Sequence, residues 1–247
     1  METKRICILN TFVDGITMDE TLIEVEKYIT TEKPLHLMGV NADKINMLTK
    51  NESFKKIVNN SGIINADGAS VVLASKFLNC PLPERVAGID LMQRLVELSE
   101  EKGYSVYFLG AKQEVVEKTA QVLQERYPDL KIAGTHNGYF TEAQWSEIAG
   151  ILKERNPQIV FVGITSPFKE YLVEYLQNEG LKCVFMGVGG SFDVISGLIP
   201  RAPLWMQKSN LEWLFRVAQE PKRLFKRYFM GNYEFIKSVF LEKIINK

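Results

Sequence analysis

The sequence has few of the side chains that most often bind metals or form disulfides. Its 247 residues include only three cysteines and two histidines, His36 and His136, and no CxxC or HExxH motif occurs. An Asp-x-Asp pair, which would offer two carboxylates to a divalent cation on a nucleotide diphosphate, is also absent. The odd number of cysteines without a paired spacing indicates reduced thiols. We therefore expect neither a metal centre nor a disulfide framework.

Long apolar stretches are missing as well. No run approaches the roughly 18 apolar residues of a membrane-spanning helix, and the N-terminal METKRICILN is too short in apolar residues for a signal peptide. We therefore expect a cytoplasmic protein, with peripheral membrane association left open. There is no internal repeat and no low-complexity segment, so the length fits one large α/β domain with or without an appendage.

Short apolar runs alternate with longer amphipathic segments over most of the chain. Runs such as Leu35–Val40, Ser105–Leu109 and Ile159–Ile164 are typical of strands, and Arg5–Asn10 is predicted to be the first strand. A capping box at Thr17–Glu20 opens the first of the intervening helices. This alternation predicts an α/β fold, with a mostly parallel, Rossmann-like sheet covered by helices on both faces.

The C-terminal segment has a different composition. Residues 200–247 contain ten Lys/Arg and four Glu, a net charge of +6, so residues 1–199 carry −6. Aromatic residues interleave with the basic ones, and no strand pattern remains. We predict a catalytic α/β domain at 1–199 and a basic helical appendage at 200–247. From composition alone, the appendage fits a membrane-surface element, a nucleic-acid-binding element or a plain helical cap.

The stretch Gly62–Ser70 places a carboxylate at the predicted end of a strand. Ile63 and Ile64 indicate a short buried strand, and Asp67 stands in the turn that follows. Ligands of α/β proteins bind at the carboxyl ends of the strands, so Asp67 is a candidate general base. An Asp-Gly pair is also common in ordinary turns, because Asp bonds its own backbone and Gly accepts positive φ. The residue pattern leaves both interpretations open.

Two glycine-containing segments follow predicted strands and precede helical sequence. They are Gly110-Ala111-Lys112 and Gly187–Asp193, the latter containing Gly189. Glycines there let the backbone approach a phosphate, and a helix N-terminus favours an anion. Neither segment matches GxGxxG or the Walker P-loop, and each alone also fits an ordinary turn. Together they suggest a nucleotide site, in which Asp193 either binds a ribose or base edge or caps a helix.

A diphosphate in such a site would need positive charge. Without a metal, backbone N–H groups and cationic side chains must stabilise it. Arg85 and the arginines of the C-terminal segment are the candidates. Arg85 fits a surface position beside a loop equally well.

Several segments together resemble one family, the WecB/TagA/CpsF glycosyltransferases (glycosyltransferase family 26). The resemblance runs in order over nearly the whole chain, which is more specific than any single motif. The matching segments are Asn41-Ala42-Asp43, Asn65-Ala66-Asp67-Gly68, Arg85–Asp90, Phe108–Ala111, Gly138-Tyr139-Phe140, Gly187–Asp193, Arg201-Ala202-Pro203, Trp205-Met206-Gln207, Leu211–Leu214 and Gln219–Leu224.

The resemblance implies an inverting, metal-independent transferase that needs no cofactor. Such enzymes move a sugar, often N-acetylmannosamine or its uronate, from a UDP donor to a polyprenyl-diphosphate-linked sugar. In teichoic-acid-type pathways the acceptor is undecaprenyl-diphosphate-GlcNAc. The resemblance implies Asp67 as the catalytic base, with Asn41 and Arg85 as further catalytic residues. The residues that we expect to bind the UDP-sugar are Gly110, Tyr139, Lys169, Gly189, Asp193, Arg216 and Arg223.

The same resemblance implies partners. The appendage would dock on an anionic membrane surface at the inner face of the cell membrane, and a homo-oligomer fits the family. We expect no nucleic-acid partner. Two other functions remain open: a nucleotide-sugar-modifying enzyme such as an epimerase, and a non-catalytic scaffold for envelope-polymer assembly.

Two positions depart from the family pattern. Many members have Thr-Pro-Asn-Ala where this chain has GVNA from Gly39, so a hydroxyl is missing. Many have Pro-Lys-Gln-Glu where this chain has PFKE, so a neutral amide becomes the cation Lys169. That lysine can pair with a donor diphosphate or a uronate carboxylate, or it can be an ordinary solvated helix lysine. We expect the choice of sugar to depend on these two positions.

Overall fold

The computed structural model describes residues 5–245, apart from the side chains of Arg223 and Arg227, and shows a three-layer α/β fold. The strands are β1 (Arg5–Ile8), β2 (Thr11–Asp14), β3 (Leu35–Val40), β4 (Ile63–Ala66), β5 (Ser105–Gly110), β6 (Lys131–His136), β7 (Ile159–Gly163) and β8 (Val184–Gly187). Six of them form a parallel sheet in the order β4-β3-β8-β7-β5-β6. The predicted fold class is therefore confirmed.

Helices connect the strands and continue to the end of the described chain. They are α1 (Met18–Thr30), α2 (Ala42–Leu48), α3 (Glu52–Asn59), α4 (Ala69–Phe77), α5 (Gly88–Lys102), α6 (Gln113–Arg126), α7 (Trp145–Arg155), α8 (Phe168–Asn178), α9 (Ser191–Ile195), α10 (Leu204–Lys208), α11 (Glu212–Gln219) and α12 (Pro221–Ile245). A 3₁₀ turn at Glu142–Gln144 precedes α7. The capping box predicted for α1 is confirmed, with Thr17 and Glu20 bonded reciprocally.

The two faces of the sheet build separate cores, because successive strand residues point to opposite sides. Leu37, Phe108 and Phe161 pack against α1, α5, α6 and α9 on one face. On the other face, Met38 and its neighbours pack against α2, α3, α4 and α12, while Phe185 packs against α7 and α8. The sheet is therefore covered on both sides, and its carboxyl edge stays available for a site.

The prediction for the N-terminus was wrong in extent and in place. The first strand ends at Ile8, since Leu9 and Asn10 adopt positive φ (50° and 61°) and reverse the chain into β2. This hairpin lies outside the parallel sheet. It is tied to the edge strand β4 by Asp14, whose Oδ2 accepts the Ile64 N–H at 2.7 Å. The hairpin thus covers an edge that would otherwise leave a backbone donor unpaired.

The C-terminal helices are partly built into the α/β body. Phe235 and Val239 of α12 belong to the same core as α2, α3 and α4. The Asn46 amide donates to the Gly231 carbonyl at 2.8 Å, and Glu242 accepts the Leu9 N–H at 2.9 Å. Residue 199 as a domain boundary stays a prediction, but the second half of α12 completes the core beside it.

Candidate active site

The turn after β4 carries Asp67 at the carboxyl edge of the sheet. The backbone N–H groups of Asp67 and Gly68 both donate to the Val40 carbonyl, at 2.9 and 3.2 Å, so the end of β3 holds the turn. Gly68 is the N-cap of α4, which leads the chain away from the edge. Asp67 is half-buried. The structure therefore places the predicted base where parallel sheets present ligands.

The Asp67 carboxylate is held by one oxygen. Its Oδ1 accepts the Gly88 N–H at 2.8 Å, at the start of α5. Next to it on β3 stands Gly39, where a Cβ would lie 3.2 Å from Asp67 Cβ and 3.9 Å from Oδ2. A side chain at position 39 would thus crowd Asp67, and glycine avoids that contact. This arrangement orients the group and suits it to accept a proton from a ligand hydroxyl.

Arg85 lies beside Asp67 but contacts its backbone. The Nε–H of Arg85 donates to the Asp67 carbonyl oxygen at 2.7 Å. Its Nη2 is 2.9 Å from Oε2 of Glu212, which belongs to α11. The structure therefore brings the predicted loop arginine to the turn that carries Asp67, and also joins it to α11.

Sequence patterns did not identify Glu212 as a site residue. Leu211, Leu214 and Phe215 have the spacing of one helical face, yet Leu214 is 44% exposed while Glu212 is 8% exposed. Its Oε1 lies 3.4 Å from Arg201 Nε. Burial of a carboxylate depends on cations that are distant in sequence, so only the family-like Leu-Glu-Trp-Leu segment pointed to this position.

Asn41 packs against the Asp67 turn as a helix cap. Its Oδ1 accepts the Lys44 N–H at 3.0 Å and so begins α2. A Cβ on Gly68 would come 2.9 Å from Asn41 Cβ, which shows how closely the two segments approach. Glycine is needed at 68 for this contact. The structure accounts for Asn41 as a capping residue beside the site, and its catalytic role stays a prediction.

Lys169 is buried, so the interpretation as a solvated helix lysine is wrong. Only 8% of the residue is exposed. Its aliphatic stem lies on Gly187, where a Cβ would come 2.6 Å from Lys169 Cε. The Nζ donates to Ser166 Oγ at 2.7 Å and lies 3.4 Å from Glu170 Oε1. The end of the Lys169 side chain therefore lies against the carboxyl end of β8.

Glu170 is the shared partner of two buried lysines. It is fully buried, and its Oε1 also accepts from Lys44 Nζ at 2.9 Å and Ser166 Oγ at 2.8 Å. Burial would raise the pKa of the Glu170 carboxyl, but the ammonium groups of Lys44 and Lys169 outweigh it and hold the pKa well below its usual range. Glu170 is therefore an anion at neutral pH, compensating one of two cations.

The remaining charge of this cluster affects Lys169 and His36. Desolvation, followed by repulsion from Lys44, lowers the pKa of Lys169 to about 8, while Glu170 and Asp67 act in the opposite direction. Burial likewise lowers the pKa of His36 to about 3, so its ring is neutral. Lys44, Lys169 and Glu170 together carry one positive charge in excess when both lysines are protonated.

The loops after β5 and β6 meet at close range. Gly110 has φ +134°, and a Cβ there would lie 2.5 Å from the carbonyl carbon of Gly163. Ala111 N–H donates to the Gly163 carbonyl at 2.9 Å, and Gly138 N–H donates to the Ala111 carbonyl at 2.8 Å. Tight backbone packing accounts for glycine at 110. Tyr139 follows directly and is 73% exposed.

The loop after β8 is more open. Gly189 has φ +53°, is exposed, and would place a Cβ in free space. Asp193 lies in the first turn of α9, half-buried, with its Oδ2 3.4 Å from where a Cβ on Gly190 would be. Arg216 is exposed on α11 and lines a cavity of about 20 Å³ with Arg201 and Glu212. The predicted Arg223 side chain lies outside the described residues.

Neither a metal-binding cluster nor a membrane-spanning helix is found among the described residues. Between residues 5 and 245, no group of three or more His, Cys, Asp or Glu side chains is placed to hold a metal ion. Within the same part of the chain, no helix combines the length and apolar character needed to cross a bilayer.

Comparison with known proteins gives a consistent match. The chain matches the model of the Glycosyl transferase WecG/TagA/CpsF family over residues 6–247. It is 32% identical over 224 residues to N-acetylglucosaminyldiphosphoundecaprenol N-acetyl-beta-D-mannosaminyltransferase of Staphylococcus aureus strain MW2, covering 90% of this chain and 87% of that protein. The protein of the same name in strain MRSA252 is 31% identical, with the same coverage.

Proposed function

Since this chain belongs to the WecG/TagA/CpsF family of glycosyl transferases, we propose that it transfers N-acetylmannosamine, or a related hexose or hexuronate, from a UDP donor to undecaprenyl-diphosphate-linked GlcNAc. The product would enter a cell-envelope polymer such as a teichoic acid. The observation that carries this proposal is Asp67, half-buried at the carboxyl edge of the sheet with its Oδ1 held by the Gly88 N–H. The names of the relatives support the acceptor and the sugar.

The proposed reaction is a single displacement with inversion. The acceptor hydroxyl attacks the anomeric carbon of the donor and gives its proton to Asp67. The bond from that carbon to the diphosphate oxygen breaks, and UDP leaves from the opposite face. A positioned base contributes about 10²–10⁴-fold to such a step, and orientation and charge stabilisation supply most of the rest.

Charge on the leaving diphosphate would be stabilised without a metal. The backbone at Gly110 and Gly189, with Tyr139 and Asp193 at the nucleoside, is the proposed donor side. Arg85 is already at the catalytic turn. The other proposed cations are Arg216 and Arg223 of the appendage and Lys169. Lys169 would face either the diphosphate or an acidic group on the sugar. Glu170 carries one negative charge for the two ammonium groups of Lys44 and Lys169, so one positive charge remains.

The apolar surface of the C-terminal helix supports a peripheral membrane location. Phe225, Phe229 and Ile244 on α12 are 60%, 64% and 67% exposed. The surface extends onto α4, where Leu73 is 65% exposed and Phe77 lies 4.9 Å from the Phe240 ring. The Lys243 Nζ lies 5.5 Å from the centroid of the Phe77 ring, and apolar patches with basic groups beside them suit anionic lipid headgroups. The same surface could instead join copies of the chain in a homo-oligomer.

A transfer assay tests the proposal. The full-length protein is incubated with a lipid-diphosphate-GlcNAc acceptor and a panel of UDP-sugars, with and without EDTA, after a thermal-shift screen has shown which donors bind. We expect acceptor-dependent release of UDP and a disaccharide-lipid product, unchanged by EDTA. A strict need for Mg²⁺ would refute the metal-free mechanism.

The alternatives give different products. Conversion of the UDP-sugar without acceptor would identify a nucleotide-sugar-modifying enzyme. Absence of both UDP-sugar binding and turnover would favour a scaffold for envelope assembly. Either outcome would replace the transferase proposal.

A further inference from the structure

Glu212 joins the C-terminal helices to the turn that carries Asp67. Its carboxylate, only 8% exposed as a residue, lies between two guanidinium groups. Oε2 is 2.9 Å from Arg85 Nη2, and Oε1 is 3.4 Å from Arg201 Nε. Arg85 precedes α5 in the α/β body, whereas Arg201 precedes α10, so one side chain fixes two segments that are far apart in sequence.

The first route from Glu212 to the candidate base is short. Arg85 uses Nη2 for Glu212 and Nε of the same planar group for the Asp67 carbonyl at 2.7 Å. A guanidinium has a fixed fork geometry. The position of Glu212 therefore sets the direction in which Arg85 approaches Asp67.

The second route reaches the carboxylate of the base. Arg201 Nη2 is 2.7 Å from Asp90 Oδ1, an ion pair whose angle lies outside hydrogen-bond geometry. Asp90 is in the first turn of α5. That helix begins at Gly88, whose N–H holds Asp67 Oδ1 at 2.8 Å.

Stability alone does not account for this arrangement. The desolvation cost of a buried ion pair cancels much of its attraction, so such pairs are weak evidence for stability. They do fix relative positions: Arg201 Nε–H donates to Glu212 Oε1 at 3.4 Å, and the rigid planar shape of each guanidinium relates Glu212 to the groups at its other nitrogens. Glu212 is placed where orientation matters, at the start of both routes to Asp67.

We propose that Glu212 is a positioning residue for the transfer reaction, holding Arg85 and the start of α5 in register with Asp67. This inference rests on the proposed function, which assigns Asp67 and Arg85 to that reaction. Its consequence is that a residue of α11, which touches no reacting atom, influences the reaction through Arg85 and α5.

The test is Glu212→Gln in the full chain. Glutamine keeps the shape and removes the charge that two arginines share. Misplacement of a catalytic group by about 1 Å costs up to about 100-fold, so we expect kcat to fall about 10–100-fold, while KM for the UDP-sugar changes by less than about threefold. Glu212→Asp, which keeps the charge, should recover part of the loss. Arg201→Gln breaks only the second route, so its kcat should fall less than that of Glu212→Gln.

The matched control is Glu234→Gln on α12, which removes an exposed glutamate paired with Lys50 at 3.3 Å. It should leave kcat unchanged. Normal kcat in a folded Glu212→Gln protein would overturn the proposal, and so would equal losses in Glu212→Gln and Glu234→Gln. The circular dichroism spectrum and melting curve of each variant show whether it is folded.

A second readout does not depend on activity. The Nε–H of Arg85, bonded to the Asp67 carbonyl, should give a slowly exchanging ¹⁵N signal in the wild type and lose that protection in Glu212→Gln. Unchanged protection would overturn the positioning role. If the wild type transfers no sugar but this signal responds as expected, the proposed function fails and the structural coupling stands.

Discussion

The carboxyl edge of the sheet and the C-terminal helix use similar residues in opposite ways. Phe108 and Phe161 in the sheet are fully buried, whereas Phe225 and Phe229 on α12 are 60% and 64% exposed. Lysines show the reverse, since Lys44 and Lys169 are buried at the edge, whereas Lys222, Lys226 and Lys237 of the helix are exposed. An exposed aromatic side chain and a buried ammonium group both make the folded state less favourable unless another group compensates. At the edge, Glu170 is the partner of both lysines. On the helix, Phe225 and Phe229 stay exposed.

The largest expected effect tests whether the edge is organised for chemistry. Asp67→Asn keeps the size of the side chain and an oxygen that can accept the Gly88 N–H, but it removes the base. Turnover should fall at least about 100-fold, measured as UDP release in the presence of acceptor, while calorimetry shows unchanged UDP binding. Asp19→Asn, a surface aspartate paired with Arg94, is the control. Near-normal turnover of the Asp67 variant would remove it from the role of base.

The next effect compares two phenylalanines on the same helix. Phe235 is 2% exposed and Phe229 is 64% exposed. Phe235→Ala should lower the free energy of unfolding by about 3–5 kcal/mol, because it leaves a cavity in the core. Phe229→Ala should change it by less than about 0.5 kcal/mol and instead weaken cosedimentation with phosphatidylglycerol vesicles. Urea denaturation and sedimentation measure the two quantities.

The same pair shows why truncation near residue 199 is a poor test of membrane docking. It would remove Phe235 and Val239 from the core along with the exposed face. Vesicle binding by Phe229→Ala equal to that of the wild type would contradict the membrane assignment of this face. Equal destabilisation by both alanine variants would show that the exposed residue is packed in solution, as in an oligomer.

The smallest expected effect is a change in pH dependence. The pKa of Lys169 is lowered from 10.5 to about 8, so its charge is lost as pH rises through about 8. We expect kcat/KM of the wild type to fall above this pH, because a cation facing the substrate is neutralised. Lys169→Gln should lack this alkaline limb. Lys153→Gln, which breaks a surface pair with Glu179, should keep it.

Stability should follow the same group with a defined sign. Between about pH 8 and 10.5 the folded protein binds fewer protons at Lys169 than the unfolded chain does. The free energy of unfolding contributed by this group therefore rises with pH across that window and is lowest below it. Denaturation of Lys169→Gln should not show this rise. An identical rise in the variant would mean that another group is responsible.

Local sequence was sufficient for most of the fold and for the place of the candidate base. Alternating apolar runs and capping boxes predicted the parallel sheet, and Asn65-Ala66-Asp67-Gly68 stands at the end of a strand as expected. The hairpin was missed because its turn, Leu9-Asn10, has positive φ at both residues without a glycine to signal it.

The rest of the site could not be derived from local patterns. Lys44 and Glu170 are 126 residues apart, and only the folded chain shows that they neutralise each other. Lys169 is buried against the same carboxylate, 3.4 Å from Glu170 Oε1. Glu212 is likewise buried against Arg85, which is distant in sequence. Helix periodicity describes which face is apolar, whereas a buried charge is decided by its distant partners.

At Gly231 the long C-terminal helix closely approaches the side chain of Asp43 on α2. A Cβ at this residue would lie 2.5 Å from Asp43 Oδ1, on the helix that Asn41 begins. A side chain at this residue would have to displace the Asp43 carboxylate, which stands at the end of a side chain that can rotate. The glycine therefore lets Asp43 keep its place while the Gly231 carbonyl accepts from the Asn46 amide at 2.8 Å. One position without a side chain thus allows two neighbouring polar groups of α2 to meet the same turn of α12.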